Sequence, residues 1–373
     1  MRMTETRAFA CPPRYYQGPG EIAHLEEAVR DFGNRAFAVI TPSFYERLSR
    51  ELKEQFEAAG SHMICERFGG QTSMKELERL TQIARKNPVD VVIGIGGGKA
   101  MDAGKYVGIQ TGAAIVTVPT IVSTDAPTSA LSATYTETGE HAGSIYYKRN
   151  PNVVLVDSAI VVKAPVRYFV SGMGDALSTY FEAKAHVDSH TKNRVGKGYQ
   201  TPLAAMALSW LCFTTLMEQG RKALADVRAG KLTDAVEAII EVNTLLSGIG
   251  VESAGCAGAH SLNSGFSSLA GCQHATHGEI VAFGTLCELV LEAWPGETIK
   301  QVLAFCQDVG LPVTLEQIGL DATEPKALHQ AAHKAMGTKH IGAENVPVSE
   351  DLLVEAILKA DALGRDWRRK QKG

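Results

Sequence analysis

The segment GAHSLNSGFSSLAGCQHATHGEIVAFG, residues 258–284, sets His260, His274 and His277 among glycine, alanine and serine, with Glu279 just behind. Imidazole is the commonest metal-ligating side chain in proteins. Small neighbours make room for a bound group, although a polar surface loop has the same composition. His260 and His277 lie on separate segments that could converge, and a catalytic zinc takes three protein ligands while keeping one position open. A third ligand must come from elsewhere in the chain. Asp175, in SGMGDALSTYFEA, follows a Gly-Met-Gly bend and is expected to open a helix. There its carboxylate serves either as that ligand or as an N-cap.

A second group of residues suits phosphate. In VVIGIGGGKAMDAGKYVG, residues 91–108, glycines follow an apolar run and precede a helical stretch. Main-chain N–H groups and the positive end of a helix dipole hold anions at such turns, and a Cβ would keep a phosphate away. Lys99 adds a cation. The turn departs from both common fingerprints. GxGxxG requires a glycine at Lys99, and the Walker pattern requires Gly at Ile93 and Ser or Thr at Ala100. Tight packing of strand on helix would account for the same glycines.

These residues need a frame to hold them. The first half alternates β-rich runs at 35–41, 61–68, 89–96, 113–120 and 152–157 with helical patterns at 43–59 and 74–86. Continuous apolar β-branched runs suit parallel strands covered on both faces, and their alternation with helices implies βαβ units. LSATYTETGEHAGSIYYK, with Gly139 at its centre, predicts a β-hairpin inserted on that sheet. Past APVRYF the pattern turns Ala- and Leu-rich, with helices expected at 175–187, 202–219, 233–250, 278–293, 297–309, 325–336 and 350–362. A chain of 373 residues exceeds most single cores. The expected fold is an α/β N-terminal domain over 1–165 and an all-α C-terminal domain over 166–373.

Composition narrows the partners. A formal net charge of −4 gives no electrostatic reason to expect nucleic acid or an acidic membrane. No apolar run reaches 18 residues, so no bilayer-spanning helix is expected. MRMTETRAFACPPRYY lacks the apolar stretch of a secretory signal. Seven cysteines with no CxxC pair suit reduced thiols in a cytoplasm.

Four segments in order, GIGGGKAMDAGK, VPTIVSTDAPTSALSATYTETGE, SGMGDALSTYFEA and AHSLNSGF…HATHGEIVAFGTL, resemble the glycerol dehydrogenases. These form the zinc-dependent branch of the iron-containing alcohol dehydrogenase superfamily, which shares its fold with dehydroquinate synthase. The resemblance runs from about residue 14 to about residue 360. It implies an N-terminal NAD domain, a helical domain and an active site between them. It implies Zn²⁺ held by Asp175, His260 and His277, with His274 a neighbour only. Gly97, Gly98 and Lys99 would hold the pyrophosphate, and Thr120, Ser123, Ser129, Leu131 and Tyr135 would line the rest of the NAD site. Asp125 would meet the hydroxyls of a small polyol or diol, and Glu279 would support the site or cap a helix. The family also implies a homo-oligomer, up to an octamer.

Two departures stand out. Where the family has an aspartate after the first strand, VITPSF places Thr41. A carboxylate there accepts the ribose hydroxyls and repels a 2′-phosphate; a threonine does neither strongly. Where the family has AHAIHNG, this chain has AHSLNSG, with Asn263 in place of a second histidine. That loss fits a three-residue zinc site and alters the pocket wall.

Hydride leaves a carbinol carbon readily only when its oxygen has alkoxide character, which a zinc supplies by acidifying the hydroxyl. The expected reaction is NAD-dependent oxidation of glycerol or a similar 1,2-diol to the hydroxyketone, with His260 and Asp125 as catalytic residues. Water in the active site is the expected proton exit, with Asp125 the weaker candidate. Other small alcohols, amino alcohols, hydroxyketones and 2-hydroxy acids stay open as substrates. A dehydroquinate-synthase-like cyclase or a glycerol-phosphate dehydrogenase needs a cluster of cations that STDAPTSA and AGCQHATHGE lack. A non-catalytic NAD- or zinc-binding sensor is disfavoured because every expected ligand is present.

Overall fold

A six-stranded, all-parallel sheet carries the first part of the chain in the computed structural model, which describes residues 5–371. Its strands are β1 (Arg14–Gly18), β2 (Arg35–Ile40), β3 (His62–Arg67), β4 (Val91–Gly96), β5 (Ala114–Pro119) and, after a hairpin of β6 (Leu131–Tyr135) and β7 (His141–Tyr146), β8 (Val153–Asp157). They run in the order β1-β8-β5-β4-β2-β3. The helices are α1 (Leu25–Val29), α2 (Pro42–Ala58), α3 (Met74–Lys86), α4 (Gly98–Thr111) and α5 (Ser158–Val161).

β2 explains why these strands read as apolar throughout. Ala36, Ala38 and Ile40 join one core with Leu48, Leu52 and Phe56 of α2. Phe37 and Val39 join another with Leu77, Leu80 and Ala84 of α3 and with Ala100, Ala103 and Val107 of α4. Both faces are covered, so no polar alternation survives. With α2 on one face and α3 and α4 on the other, the strand order reverses between β2 and β4. In open α/β sheets, ligands bind outside the carboxyl ends of the strands at such a switch point.

Two expectations need correction here. β1 was not anticipated: RYYQG is short and only half-buried, and it pairs at the sheet edge along β8. The hairpin turns at Gly139, whose φ is 91°, as expected. However, β6 and β7 form a separate two-stranded sheet instead of joining the main one. That sheet is tied to α4: Asp102 Oδ2 accepts from the Ala133 N–H at 2.9 Å, and the Asp102 carbonyl accepts from Ser132 Oγ at 2.7 Å.

The rest is helical: α6 (Val166–Asp188), α7 (Leu203–Arg228), α8 (Asp234–Glu241), α9 (Ser247–Ser253), α10 (Gly258–Phe266), α11 (His277–Leu291), α12 (Gly296–Val309), α13 (Pro325–Met336) and α14 (Glu350–Lys370). A π turn over Val242–Leu246 links α8 to α9 where one continuous helix was expected. The chain separates into two compact units, Cys11–Pro165 with Gly230–Leu232, and the remainder. Among the described residues no helix is long and apolar enough to cross a membrane.

Two differences in this unit bear on chemistry. α6 starts at Val166 and runs unbroken through Gly172, Met173 and Gly174, so Asp175 lies inside the helix and neither opens nor caps it. The glycines serve close approach instead: a Cβ on Gly174 would sit 2.3 Å from the Gly278 carbonyl oxygen of α11. Second, α10 was not anticipated, because glycine, serine and asparagine are poor helix formers. Packing overrides propensity there, since a Cβ on Gly284 of α11 would lie 2.7 Å from the Ala259 carbonyl oxygen.

Candidate functional site

Three helices each bring one side chain to a common point. Asp175 sits midway along α6, His260 in the first turn of α10, and His277 at the first position of α11. α11 begins there because Thr276 and Glu279 form a capping box, Thr276 Oγ1 accepting from the Glu279 N–H and Glu279 from the Thr276 N–H. Glu279 also pairs with Arg167 at 2.7 Å, so its role is to hold the helix start. His274 lies apart from the three, exposed, with Nδ1 2.9 Å from the Gly271 carbonyl.

His277 Nε2 is 3.0 Å and His260 Nε2 is 3.4 Å from Asp175 Oδ1. The three donor atoms lie within 4.8 Å of one another, and Asp175 is only 2% exposed. Ligands placed tetrahedrally at about 2.0–2.1 Å from a zinc are about 3.3 Å apart. The observed spacing therefore fits such an ion with little movement, and one carboxylate with two imidazoles is a donor set that zinc accepts. Burial alone would raise the Asp175 carboxyl, but His277 and His260 beside it hold it well below the usual carboxylate range. Burial would likewise raise Glu182, yet His260 holds it low. The two carboxylates flank the His260 ring, Asp175 on the Nε2 side and Glu182 on the Nδ1 side.

Sequence reasoning missed Glu182. It is 0% exposed and seven residues beyond Asp175 on α6, hence on the same face two turns along, and that spacing was the signal that could have found it. Among the described residues, two further groups bring donor atoms together: Glu182–Cys256–His260 and Glu288–Glu292–Glu344. In the second, Glu288 Oε2 accepts from the Ala259 N–H at 2.8 Å and so caps α10.

The glycine-rich turn lies at the sheet's switch point. β4 ends at Gly96, whose φ is 151°, and a Cβ there would meet Thr41 Cβ at 2.8 Å. Gly97 caps α4, with Gly98 and Lys99 in its first turn. A Cβ on Gly97 would approach Ile121 Cδ1 to 3.0 Å, and one on Gly98 would reach Ala126 Cβ at 3.4 Å. A side chain on Gly97 would crowd Ile121 of the loop after β5, while one on Gly98 would make only ordinary contact with it. Lys99 Nζ donates to Gln71 Oε1 at 2.6 Å and stands 4.3 Å from the Tyr135 ring centre.

The loop after β5 forms the other wall. Thr120 donates its N–H to the Gly96 carbonyl at 2.9 Å, and Ser123 and Asp125 follow, half-buried. The Asp125 carbonyl accepts from the Thr128 N–H at 3.3 Å, which folds the loop back. Leu131 and Tyr135 lie on β6. Ser129 is buried beneath the loop, its Oγ accepting from Lys105 Nζ at 3.1 Å. Lys105, 1% exposed, also donates to the Ala126 carbonyl at 2.9 Å and pairs with Asp102 at 2.7 Å. That pair, three residues apart in a helix of small apolar residues, was a second signal not used.

The family profile for iron-containing alcohol dehydrogenases matches residues 12–158. The chain is 45% identical over 362 residues to a glycerol dehydrogenase of Citrobacter freundii, covering 95% of this chain and 97% of that one. It is 39% identical to a glycolaldehyde reductase of Halobacterium salinarum, covering 97% and 99%. It is also similar to the crystal structure of a probable glycerol dehydrogenase from Sinorhizobium meliloti 1021, with a TM-score of 0.91, 41% identity and coverage of 97% and 99%.

Proposed function

The chain belongs to the iron-containing alcohol dehydrogenase family, and from that premise we propose that it oxidises glycerol or a similar small 1,2-diol to the hydroxyketone, with NAD as hydride acceptor. The observation that carries this reading is the convergence of Asp175, His260 and His277. Zinc, when bound there, acidifies the hydroxyl it coordinates and so eases hydride loss from the carbinol carbon.

The chain's own residues do the rest. His260 and His277 supply neutral nitrogens and Asp175 the one charge. The helical unit forms the metal- and substrate-binding part and the α/β unit, chiefly Cys11–Pro165, the NAD-binding part. Gly97 and Gly98 offer main-chain N–H groups to the pyrophosphate with no Cβ in the way, and Lys99 adds a cation. Thr120, Ser123, Leu131 and Tyr135 line the rest of the nucleotide, with Ser129 supporting the loop from behind. Asp125 accepts hydrogen bonds from the diol and selects which carbon faces the nicotinamide. A diol has two adjacent oxygens to be recognised, which favours it over a simple alcohol. The chain works in the cytoplasm and as a homo-oligomer, the second reading being supported by the large apolar side chains exposed along α7: Leu203, Trp210 and Leu211.

The test is NAD- and NADP-dependent turnover across glycerol, 1,2-propanediol, 2-hydroxy acids and amino alcohols, with metal content measured on the same sample. The similarity to a glycolaldehyde reductase adds glycolaldehyde with NADH as a reverse assay. Turnover is expected to be highest with a 1,2-diol and NAD, and His260→Ala is expected to lose zinc and activity together. Strong activity confined to another class of alcohol would overturn the substrate. Full activity in metal-free protein would overturn the metal's role.

A further inference from the structure

We infer that Glu182 is the positioning residue of this centre: its carboxylate fixes the proton of His260 on Nδ1, leaving Nε2 as the nitrogen that ligates. The inference rests on the metal reading above. Glu182 Oε1 accepts from the main-chain N–H groups of Ala257 at 2.7 Å and His260 at 3.0 Å. Oε2 accepts from Ser178 Oγ at 3.0 Å and faces His260 Nδ1 at 2.7 Å. An ionised carboxylate has about four acceptor directions and no donor. The two main-chain N–H groups and His260 Nδ1 take three of them, and Ser178 Oγ, which also reaches the Asp175 carbonyl at 3.1 Å, faces the fourth, so the carboxylate is held by the chain although it lies within ligand range of His260 and Cys256.

Because the carboxylate only accepts, His260 Nδ1 must be the protonated nitrogen. In a neutral imidazole the lone pair is then on Nε2, the atom 3.4 Å from Asp175 Oδ1. One side chain thus joins α6 to the first turn of α10 and sets the tautomer of the ligand carried there. Partners of this kind orient ligating histidines and raise their basicity.

Glu182→Gln separates this role from simple packing. The amide keeps the shape, and its oxygen must stay on the Ala257 and His260 N–H groups, since the NH2 there would set donor against donor. The NH2 then points at Nδ1, which has to become the acceptor, and the proton moves to Nε2, where it blocks ligation. Zinc affinity, measured by chelator competition on protein first stripped of metal, is expected to fall about 10- to 100-fold. The visible absorption of Co²⁺-loaded protein should lose intensity in parallel, while the dissociation constant for NAD stays within about twofold. Glu182→Asp, a poorer fit in shape but still only an acceptor, is expected to keep more metal affinity than Glu182→Gln. If E182Q does not fold, the ring 15N chemical shifts of His260 in the zinc-loaded unaltered protein decide the matter, and a proton on Nε2 in place of Nδ1 overturns the inference. E182Q binding zinc as tightly as the unaltered protein, or more tightly than E182D, overturns the inference. His260→Ala tells that outcome from failure of the metal reading: if H260A also keeps full zinc affinity, the metal does not sit at Asp175, His260 and His277 at all.

Discussion

Gly278→Ala should disable the centre without altering a single ligand. Gly278 follows His277 on α11 and faces α6, and a Cβ there would lie 1.7 Å from the Ser171 carbonyl oxygen and 3.0 Å from the Asp175 nitrogen. Ordinary contact starts at 3.4 Å, so the helices must part by about 1.7 Å (3.4 − 1.7). Both obstacles are backbone atoms, and no rotamer change relieves them. His277 Nε2 and Asp175 Oδ1 now stand 3.0 Å apart, and a shift of this size exceeds the roughly 0.5 Å tolerance of a working constellation. Overpacking of this kind costs about 1–3 kcal/mol. At about 2.1 cal/mol/K of unfolding entropy per residue, that lowers the melting temperature by about 1–4 °C for a chain of 373 residues. Misplacement by about 1 Å costs about 100-fold in rate. The assay is kcat/KM with glycerol and NAD, zinc stoichiometry and a thermal melt on one preparation. Turnover should drop at least about 100-fold with substoichiometric zinc. Gly296→Ala is the control, since nothing lies within 4 Å of its Cβ position at the start of α12, and it should behave as the unaltered protein. G278A with full zinc and full turnover would refute the claim that this helix crossing sets the ligand geometry.

Asp125→Asn should lower diol turnover about 10- to 100-fold while the NAD dissociation constant stays within about twofold; equal loss of NAD binding in a fluorescence titration would contradict its role toward substrate. Lys105→Met removes the donor to the Ala126 carbonyl and Ser129 and leaves Asp102 buried without its ion pair, a loss of about 3–5 kcal/mol when such pairs are broken. It should weaken NAD binding at least about tenfold with zinc content unchanged, and unaltered NAD affinity would refute the loop-anchoring role. Burial first, and Glu344 second, raise the Glu288 carboxyl well above its ordinary value. Its contribution to stability is therefore complete below the unfolded pKa and is lost as pH rises through the folded one. Glu288→Gln should melt at or above the unaltered protein at pH 7–8, by a margin that grows from pH 5 upward. A margin that stays constant across that pH series would refute it.

The α/β unit was legible because its constraint is local. A strand covered on both faces must be apolar along its length, as VVIGIG is, and strand–turn–helix punctuation follows directly. β1 escaped because RYYQG is an edge strand with one side half-exposed, so no apolar run marks it. The ligands are a different kind of problem. Asp175, His260 and His277 meet through the packing of three helices, and spacing along the chain does not encode that meeting; resemblance to a family supplied it. The same packing misled the local reading. Gly174 looks like a bend before a helix, yet it and Gly278 are where α6 and α11 touch backbone to backbone. Gly265 is the same case, with a Cβ position 2.3 Å from the Ala331 carbonyl oxygen where α10 meets α13. The glycines, alanines and serines around the histidines therefore do make room, but chiefly for neighbouring helices. Close approach of those helices is what brings two imidazoles and a carboxylate within 4.8 Å of one another. Helix propensity was lost in this segment for the same reason that the ligands converge there, so the weakest local signal in the chain falls on its chemistry.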